Sequence, residues 1–211
     1  MEIKGRKETV VVKELHLVEA FGTNDFARVT AHLTAQGTSA ALPSYGSPLH
    51  LAISLSNKST IDSLIEYYAA DLPRWICQIN SPSMETPLHL AAKLGRIEVI
   101  DSLYAISALN DTQRDSLGRV AYDVAKNEKT AEALKAKKNE FINEVYRIVR
   151  VSLNDPNFGG GKVIEFFKNN QRALDYLKLG WIDINAPIDA ETEHAMLHYA
   201  AKNENAELLQ W

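Results

Sequence analysis

The residues of this chain that could do chemistry are its histidines, a glycine run with a lysine, and two clusters of charge. His194 and His198 stand four apart, the spacing at which one helix face offers two imidazoles to a zinc ion. Gly161-Lys162 closes a glycine run as the lysine of a phosphate-binding loop would. Both readings fail on their neighbours. Ala195 follows His194 where a metalloprotease places its glutamate base, and the single cysteine, Cys77, is far away in sequence. A phosphate loop needs glycine, four residues, Gly-Lys, then serine or threonine, and here those end positions are Pro156 and Val163. No Ser, His and Asp order with supporting context occurs, and no carboxylate pair converges. The sequence therefore reads as that of a non-enzyme, with no cofactor and no metal site.

The charge clusters have opposite signs. Asp183, Asp189, Glu191 and Glu193 surround one turn, while Lys126 to Arg150 carries seven basic against four acidic side chains. A solvated surface explains both, and adjacent opposite charge also steers partners, chiefly through on-rate. The whole chain, 211 residues with a net charge of −4, 45% apolar and 24% charged, has the profile of a soluble protein of one elongated or two small domains, and nothing marks a nucleic-acid binder. One cysteine excludes an intrachain disulfide and a thiolate metal cluster, which suits a reducing compartment, and Cys77 reads as a small buried apolar residue. The apolar stretch Val10 to Val12 after Lys4, Arg6 and Lys7 is too short for a signal-peptide core or a membrane span. The two glycosylation sequons, at Asn57 and Asn110, carry no weight in a chain that stays out of the secretory path.

The elements that position the other histidines are repeats. His50 lies in Ser-Pro-Leu-His-Leu-Ala at Ser47 to Ala52, and His89 in Thr-Pro-Leu-His-Leu-Ala at Thr86 to Ala91. Fainter echoes stand at Gly118 to Tyr122 and at Ala195 to Ala201, around Leu197-His198. The positions equivalent to the proline are Pro48, Pro87, Val120 and Met196, giving spacings of 39, 33 and 76. The middle spacing is the ankyrin period, and the outer two exceed one and two periods by six and ten residues, as insertions would. In such a hexamer the hydroxyl caps a helix start and the proline supplies the φ of the first turn. Leu49 and Leu88 point into the stack, small residues keep the inner helix slim, and the imidazole bridges backbone groups of adjacent repeats. His50, His89 and His198 are thus expected to be structural.

Around the hexamers the apolar periodicity predicts helix pairs. Leu15, Leu17, Val18 and Phe21, then Phe26, Val29 and Leu33, split at Gly22 to Asp25, form a first, capping repeat. Residues 46–70 give the second pair, with Ile53 ending the inner helix and Ile61, Leu64, Ile65 and Tyr68 striping the outer. Asp71 to Ile76 is a surplus, read as an extended outer helix or a turn at Pro73. The third repeat runs from Met84 through Leu94-Gly95-Arg96 to Val99, Ile100 and Leu103. The fourth replaces the hexamer by Arg119 to Val124 and ends in a short helix around Thr130 to Leu134. A longer helix from Lys137 to about Leu153 follows, with Phe141, Val145, Ile148, Val149 and Ser152 on its apolar face. Asn154 to Gly161 reads as the turn inside a fifth pair whose second helix holds Val163, Ile164, Phe166 and Phe167. Arg172 to Leu179 then leads through Trp181-Ile182-Asp183-Ile184-Asn185 to a last repeat from Asp189 to Trp211. Its final helix has no cap and no polar outer face, so the chain reads as a fragment of a longer protein.

These residues resemble the ankyrin family over 46 to 134, with a fainter match over the remainder. The resemblance implies an all-α ankyrin-repeat solenoid of about five to six helix pairs, bent or two-lobed near 135–160. A polar leader at 1–13 would precede N-terminal repeats at 14–135, followed at 136–211 by the long helix and divergent, truncated C-terminal repeats. The order of parts, with Asp123 to Asn127 closing the degraded repeat, a charged helix, Asn-Asp-Pro-Asn-Phe, Trp181 to Asn185 and a separate Leu197-His198 repeat, resembles the N-terminal ankyrin region of the long fungal oxysterol-binding-protein-related proteins. That resemblance implies a module that targets a sterol or phosphoinositide transfer protein to a membrane contact site such as the nucleus–vacuole junction. It would bind a short peptide or helix of a membrane protein without entering the membrane, placing the chain in the cytoplasm, peripheral to the nuclear envelope, vacuole or endoplasmic reticulum. The alternatives are an intramolecular regulatory array and an inhibitor or adaptor subunit unrelated to lipid transfer.

Binding in such a module falls to hairpin tips and inner helices. By register these include Tyr45 and Ser47, Asn57 and Lys58, Met84 and Glu85, Lys93 and Arg96, and Ser116, Leu117 and Arg119. Tyr67, Tyr68, Trp75, Tyr104 and Trp181 are expected in the outer-helix core instead.

Overall fold

Short amphipathic segments separated by capping residues can bury their apolar stripes only against one another, and the chain is accordingly helical. The computed structural model describes residues 14–36, 42, 45–80, 82–153, 159–183, 185–186 and 195. Its elements are α1 (described over 14–22), α2 (Phe26–Gln36), α3 (Pro48–Leu55), α4 (Lys58–Tyr67), α5 (Leu72–Cys77), α6 (Pro87–Leu94), α7 (Ile97–Tyr104), a 3₁₀ turn (Ala121–Val124), α8 (Glu128–Leu153), α9 (Gly159–Asn169) and α10 (Gln171–Lys178). The chain divides into two units, 1–134 and 135–211.

In the first unit the hexamers start the inner helices as their chemistry requires. Ser47 and Thr86 accept from the backbone N–H of His50 and His89, with Pro48 and Pro87 in the first turns. Leu49, Leu51, Ala52 and Ile53 of α3 and Leu88, Ala91 and Ala92 of α6 are buried, and α3 packs on α6. Asn57 caps α4, its Oδ1 accepting from Thr60 N at 2.9 Å. Gly95 closes α6 at φ +74, a left-handed conformation that glycine takes without a Cβ penalty. Leu17, Phe21, Val29 and Leu33 of α1 and α2 belong to the same core as α3 to α7.

Four expectations change here. The surplus at Pro73 is a separate helix, α5, which buries Leu72, Trp75 and Ile76. Cys77, the last residue of α5, is exposed rather than buried, because those three positions take the inward face. Its thiol donates to the Ala108 carbonyl at 3.5 Å. Tyr67 is exposed because Tyr68 takes the buried position, and the two rings meet edge to face at 4.9 Å. The short helix at 130–134 and the long helix from 137 are one 26-residue helix, α8. Between Leu134 and Lys138 stand only leucine, lysine and alanine, all strong helix formers, so nothing stops it.

The degraded fourth hexamer has no side-chain oxygen at Val120 and makes a 3₁₀ turn in place of an inner α-helix. Asp123 accepts from the Val120 N–H at 3.0 Å.

The second unit has its own core, formed by Val145 and Val149 of α8, Val163, Ile164 and Phe167 of α9, Ala173 and Tyr176 of α10, and Ile182. The triple glycine lies within the start of α9, and the rest of that expected turn, 154–158, falls outside the described residues. Tyr146 fastens the segment after α10, its hydroxyl accepting from Asp183 N at 2.9 Å and donating to Asp183 O at 3.3 Å. Lys138 lies 3.2 Å from the Trp181 ring centroid and Arg172 3.8 Å from that of Phe141. The final repeat with Leu197-His198, together with His194 and the acidic residues Asp189, Glu191 and Glu193, lies outside the described residues.

Candidate protein-interaction face

The two described hexamer histidines are fully engaged by the repeats. His50 Nδ1 accepts from Ser47 N at 3.2 Å, and Nε2 lies 2.9 Å from the Glu85 carbonyl of the next repeat. A carbonyl only accepts, so the ring is the neutral Nε2–H tautomer. His89 repeats this with Thr86 N at 3.3 Å and the Arg119 carbonyl at 3.0 Å. Burial pulls the His50 pKa down to about 4, with Glu85 opposing through its carbonyl and its charge. Among the described residues no group of three or more His, Cys, Asp or Glu is placed to hold a metal ion.

Each histidine reaches forward into the base of the next hairpin tip, so the imidazoles also fix the tips. In the second tip Leu42 and Gly46 exchange N–H···O bonds of 2.9 and 2.7 Å. In the third, Asn80 N donates to Glu85 O at 3.0 Å, and Asn80 Oδ1 accepts from Glu85 N at 2.9 Å and Ser83 Oγ at 2.6 Å. In the fourth, Asp115 Oδ1 accepts from the N–H groups of Leu117 and Arg119 at 2.9 Å each, and Oδ2 takes Arg119 Nε and Nη2 at 2.9 and 2.7 Å. The Arg119 guanidinium, aided by those backbone bonds, holds Asp115 at about 2. Consecutive tips touch. A Cβ on Gly46 would stand 3.2 Å from Asn80 Cα, and Ser116 N donates to Ser83 O at 2.9 Å.

On this base each tip raises a large apolar side chain into solvent: Tyr45 is 37% exposed, Met84 45% and Leu117 72%. Met84 also holds φ at +56, shared among described non-glycine residues only with Asn24. A left-handed backbone costs an L residue with a Cβ roughly 1 to 2 kcal/mol.

The other expected site residues have structural tasks beside their exposure. Arg96 Nη1 donates to Ile53 O and Ser56 O at 2.7 Å each, satisfying orphan carbonyls at the end of α3. The Asn57 N–H donates to Asn24 Oδ1 at 2.7 Å, tying the second repeat to the first. Lys58 pairs with Asp62 one turn along α4. Glu85 is buried; burial would raise its pKa, but the hydrogen bond and charge of Lys93, 2.8 Å away, with bonds from Ser83 and Asn80, hold it below the ordinary carboxylate value. Ser47 is buried at its cap and Ser116 is exposed at its tip. Residues missed from the sequence are Leu55 and Leu94, exposed at the last position of α3 and α6, and Arg114 beside the fourth tip. The two leucines had a signal: each lies seven residues after its hexamer proline.

Helix pairs capped by Ser/Thr-Pro-Leu-His, joined by hydrogen-bonded tips and bridged by imidazoles, define the ankyrin-repeat fold, and residues 84–113 match the ankyrin repeat family model. The structure is similar to the ankyrin domain of Osh1 from Kluyveromyces lactis, with a TM-score of 0.74 and 19% identity over 96% of this chain and 79% of that one. It is also similar to the Osh1 ankyrin domain of Saccharomyces cerevisiae, with a TM-score of 0.73 and 20% identity over 95% and 76%. The same domain crystallised with Nvj1 gives a TM-score of 0.71 and 19% identity over 95% and 80%. At these identities the likeness is one of fold. No curated protein sequence matches the chain.

Proposed function

We propose that the chain is a non-catalytic protein-interaction module that receives a peptide or helix of a membrane protein across the tips and inner helices of its first unit. In doing so it targets a lipid-transfer protein to a membrane contact site. The observation that carries the interaction reading is the row of Tyr45, Met84 and Leu117, exposed on adjoining tips whose bases are held by backbone hydrogen bonds. Aromatic and aliphatic anchors above a rigid base are what a peptide groove needs. Tyr45, Met84 and Leu117 would contact the partner most directly, Lys93 and Arg119 at the rim, and Asn57, Lys58, Glu85 and Arg96 by holding the wall in shape.

The targeting role is supported by the order of sequence elements shared with the long fungal oxysterol-binding-protein-related proteins and by the likeness to an Osh1 ankyrin domain crystallised with Nvj1. No helix among the described residues is long and apolar enough to cross a membrane. The test is affinity capture from fungal extract with the wild-type chain and with Leu117→Asp, proteins being identified by mass spectrometry. A membrane-anchored protein lost in the variant, whose synthetic cytoplasmic segments then bind the purified chain, supports the reading. Capture of soluble enzymes or transcription factors alone would favour the inhibitor or adaptor alternative.

A further inference from the structure

The tips carry an asymmetry of charge that the fold itself does not demand. In two of them the carboxylate lies inside and its cation outside. The Glu85 side chain is 6% exposed and its partner Lys93 56%; Asp115 is 2% exposed and Arg119 43%. Arg114 adds an exposed guanidinium that donates to the Gly118 carbonyl and joins no ion pair among the described residues. The described tip residues, 42, 45–46, 80, 82–85 and 115–119, expose no carboxylate. Each ion pair is neutral from a distance, but a ligand at contact meets ammonium and guanidinium hydrogens, with the carboxylates set behind them. Short-range attraction for anions therefore survives in a chain whose net charge is −4. That combination disfavours a long polyanion such as nucleic acid, which would experience the net charge, and suits a few carboxylates placed between apolar anchors.

We infer that the partner segment is acidic and amphipathic, with aliphatic or aromatic anchors for Tyr45, Met84 and Leu117 flanked by Asp or Glu that meet Lys93, Arg114 and Arg119. The inference rests on the interaction face proposed above. The experiment pans a phage-displayed library of random 16-residue peptides against the whole chain, and measures enriched peptides by fluorescence anisotropy. Enriched peptides should carry net negative charge and weaken about tenfold between 50 and 500 mM NaCl. Arg114→Gln should weaken them by a few fold, and Leu117→Asp should abolish binding, with circular dichroism confirming that the variants fold. Neutral or basic peptides that still require Leu117 and Met84 would overturn the charge inference and leave the face standing. Peptides indifferent to Leu117→Asp and Met84→Asn, or no enrichment at all, would overturn the face and the inference together.

Discussion

His50 should make the first unit acid-sensitive, in a window set by its buried imidazole. In the fold its pKa is about 4, against an ordinary 6.5, because the ring is buried with Nδ1 facing the Ser47 N–H. A histidine lowered on folding favours the fold fully above 6.5, and its contribution is lost as pH falls toward 4. At pH 5 the unfolded chain has taken up most of that proton and the folded chain almost none, a ratio of about 30 in binding polynomials, worth about 2 kcal/mol. At pH 7 the same expression is close to zero. The carboxylates of Glu85, Asp62 and Asp115 are held below their ordinary values of 4.5, 3.8 and 3.8, so their contributions fade only at more acid pH. Urea unfolding followed by circular dichroism should show the wild-type midpoint falling by about 1 M between pH 7 and pH 5, for a slope near 2 kcal/mol/M. His50→Gln keeps a donor for the Glu85 carbonyl and removes the titration, so its midpoint should move much less. Equal pH shifts in the two proteins would refute the assignment, and so would an NMR titration of the His50 ring near 6.5.

Three further outcomes follow from the same geometry. Arg96→Met keeps the hydrocarbon stem but strands the carbonyls of Ile53 and Ser56, and should cost about 2 kcal/mol in urea unfolding; an unchanged midpoint would show that water replaces the guanidinium. Met84→Asn, a residue that tolerates positive φ, should gain about 0.5 to 1 kcal/mol of stability while weakening partner binding, an exchange that a merely structural Met84 would not show. In the second unit Tyr146→Phe removes both bonds to the Asp183 backbone, should cost about 1 kcal/mol, and should speed hydrogen exchange at the Asp183 amide; undiminished protection there would rule the clamp out.

What could be read from the sequence was whatever the repeat dictates locally. The Ser/Thr-Pro-Leu-His hexamers announced caps, first turns, buried leucines and structural histidines, and all of these are present at α3 and α6. Reading failed where an element is decided by what is absent. Nothing in Leu134 to Lys138 marks a boundary because no breaker stands there, and the helix simply continues. Cys77 and Tyr67 were misplaced because residue type alone put both inside, whereas at each helix end it is the neighbour, Ile76 or Tyr68, that takes the buried position. Arg96 looked like a surface cation, since its acceptors, the carbonyls of Ile53 and Ser56, carry no signature in side-chain types.

The same distinction explains how the proposed interaction face can be picked out in a fold this repetitive. Caps, imidazoles, the Arg96 clamp and the acids beneath the tips tie the inner helices and loops of adjacent repeats together. Tyr45, Met84 and Leu117 bridge no backbone groups among the described residues as the imidazoles do, yet each leaves more than a third of its surface in solvent, on three adjoining tips. One of them stands on a strained backbone that a glycine or asparagine would relieve. Side chains that the repeat does not use, held in fixed relation by side chains that it does, are where a solenoid can vary its partner without altering its fold.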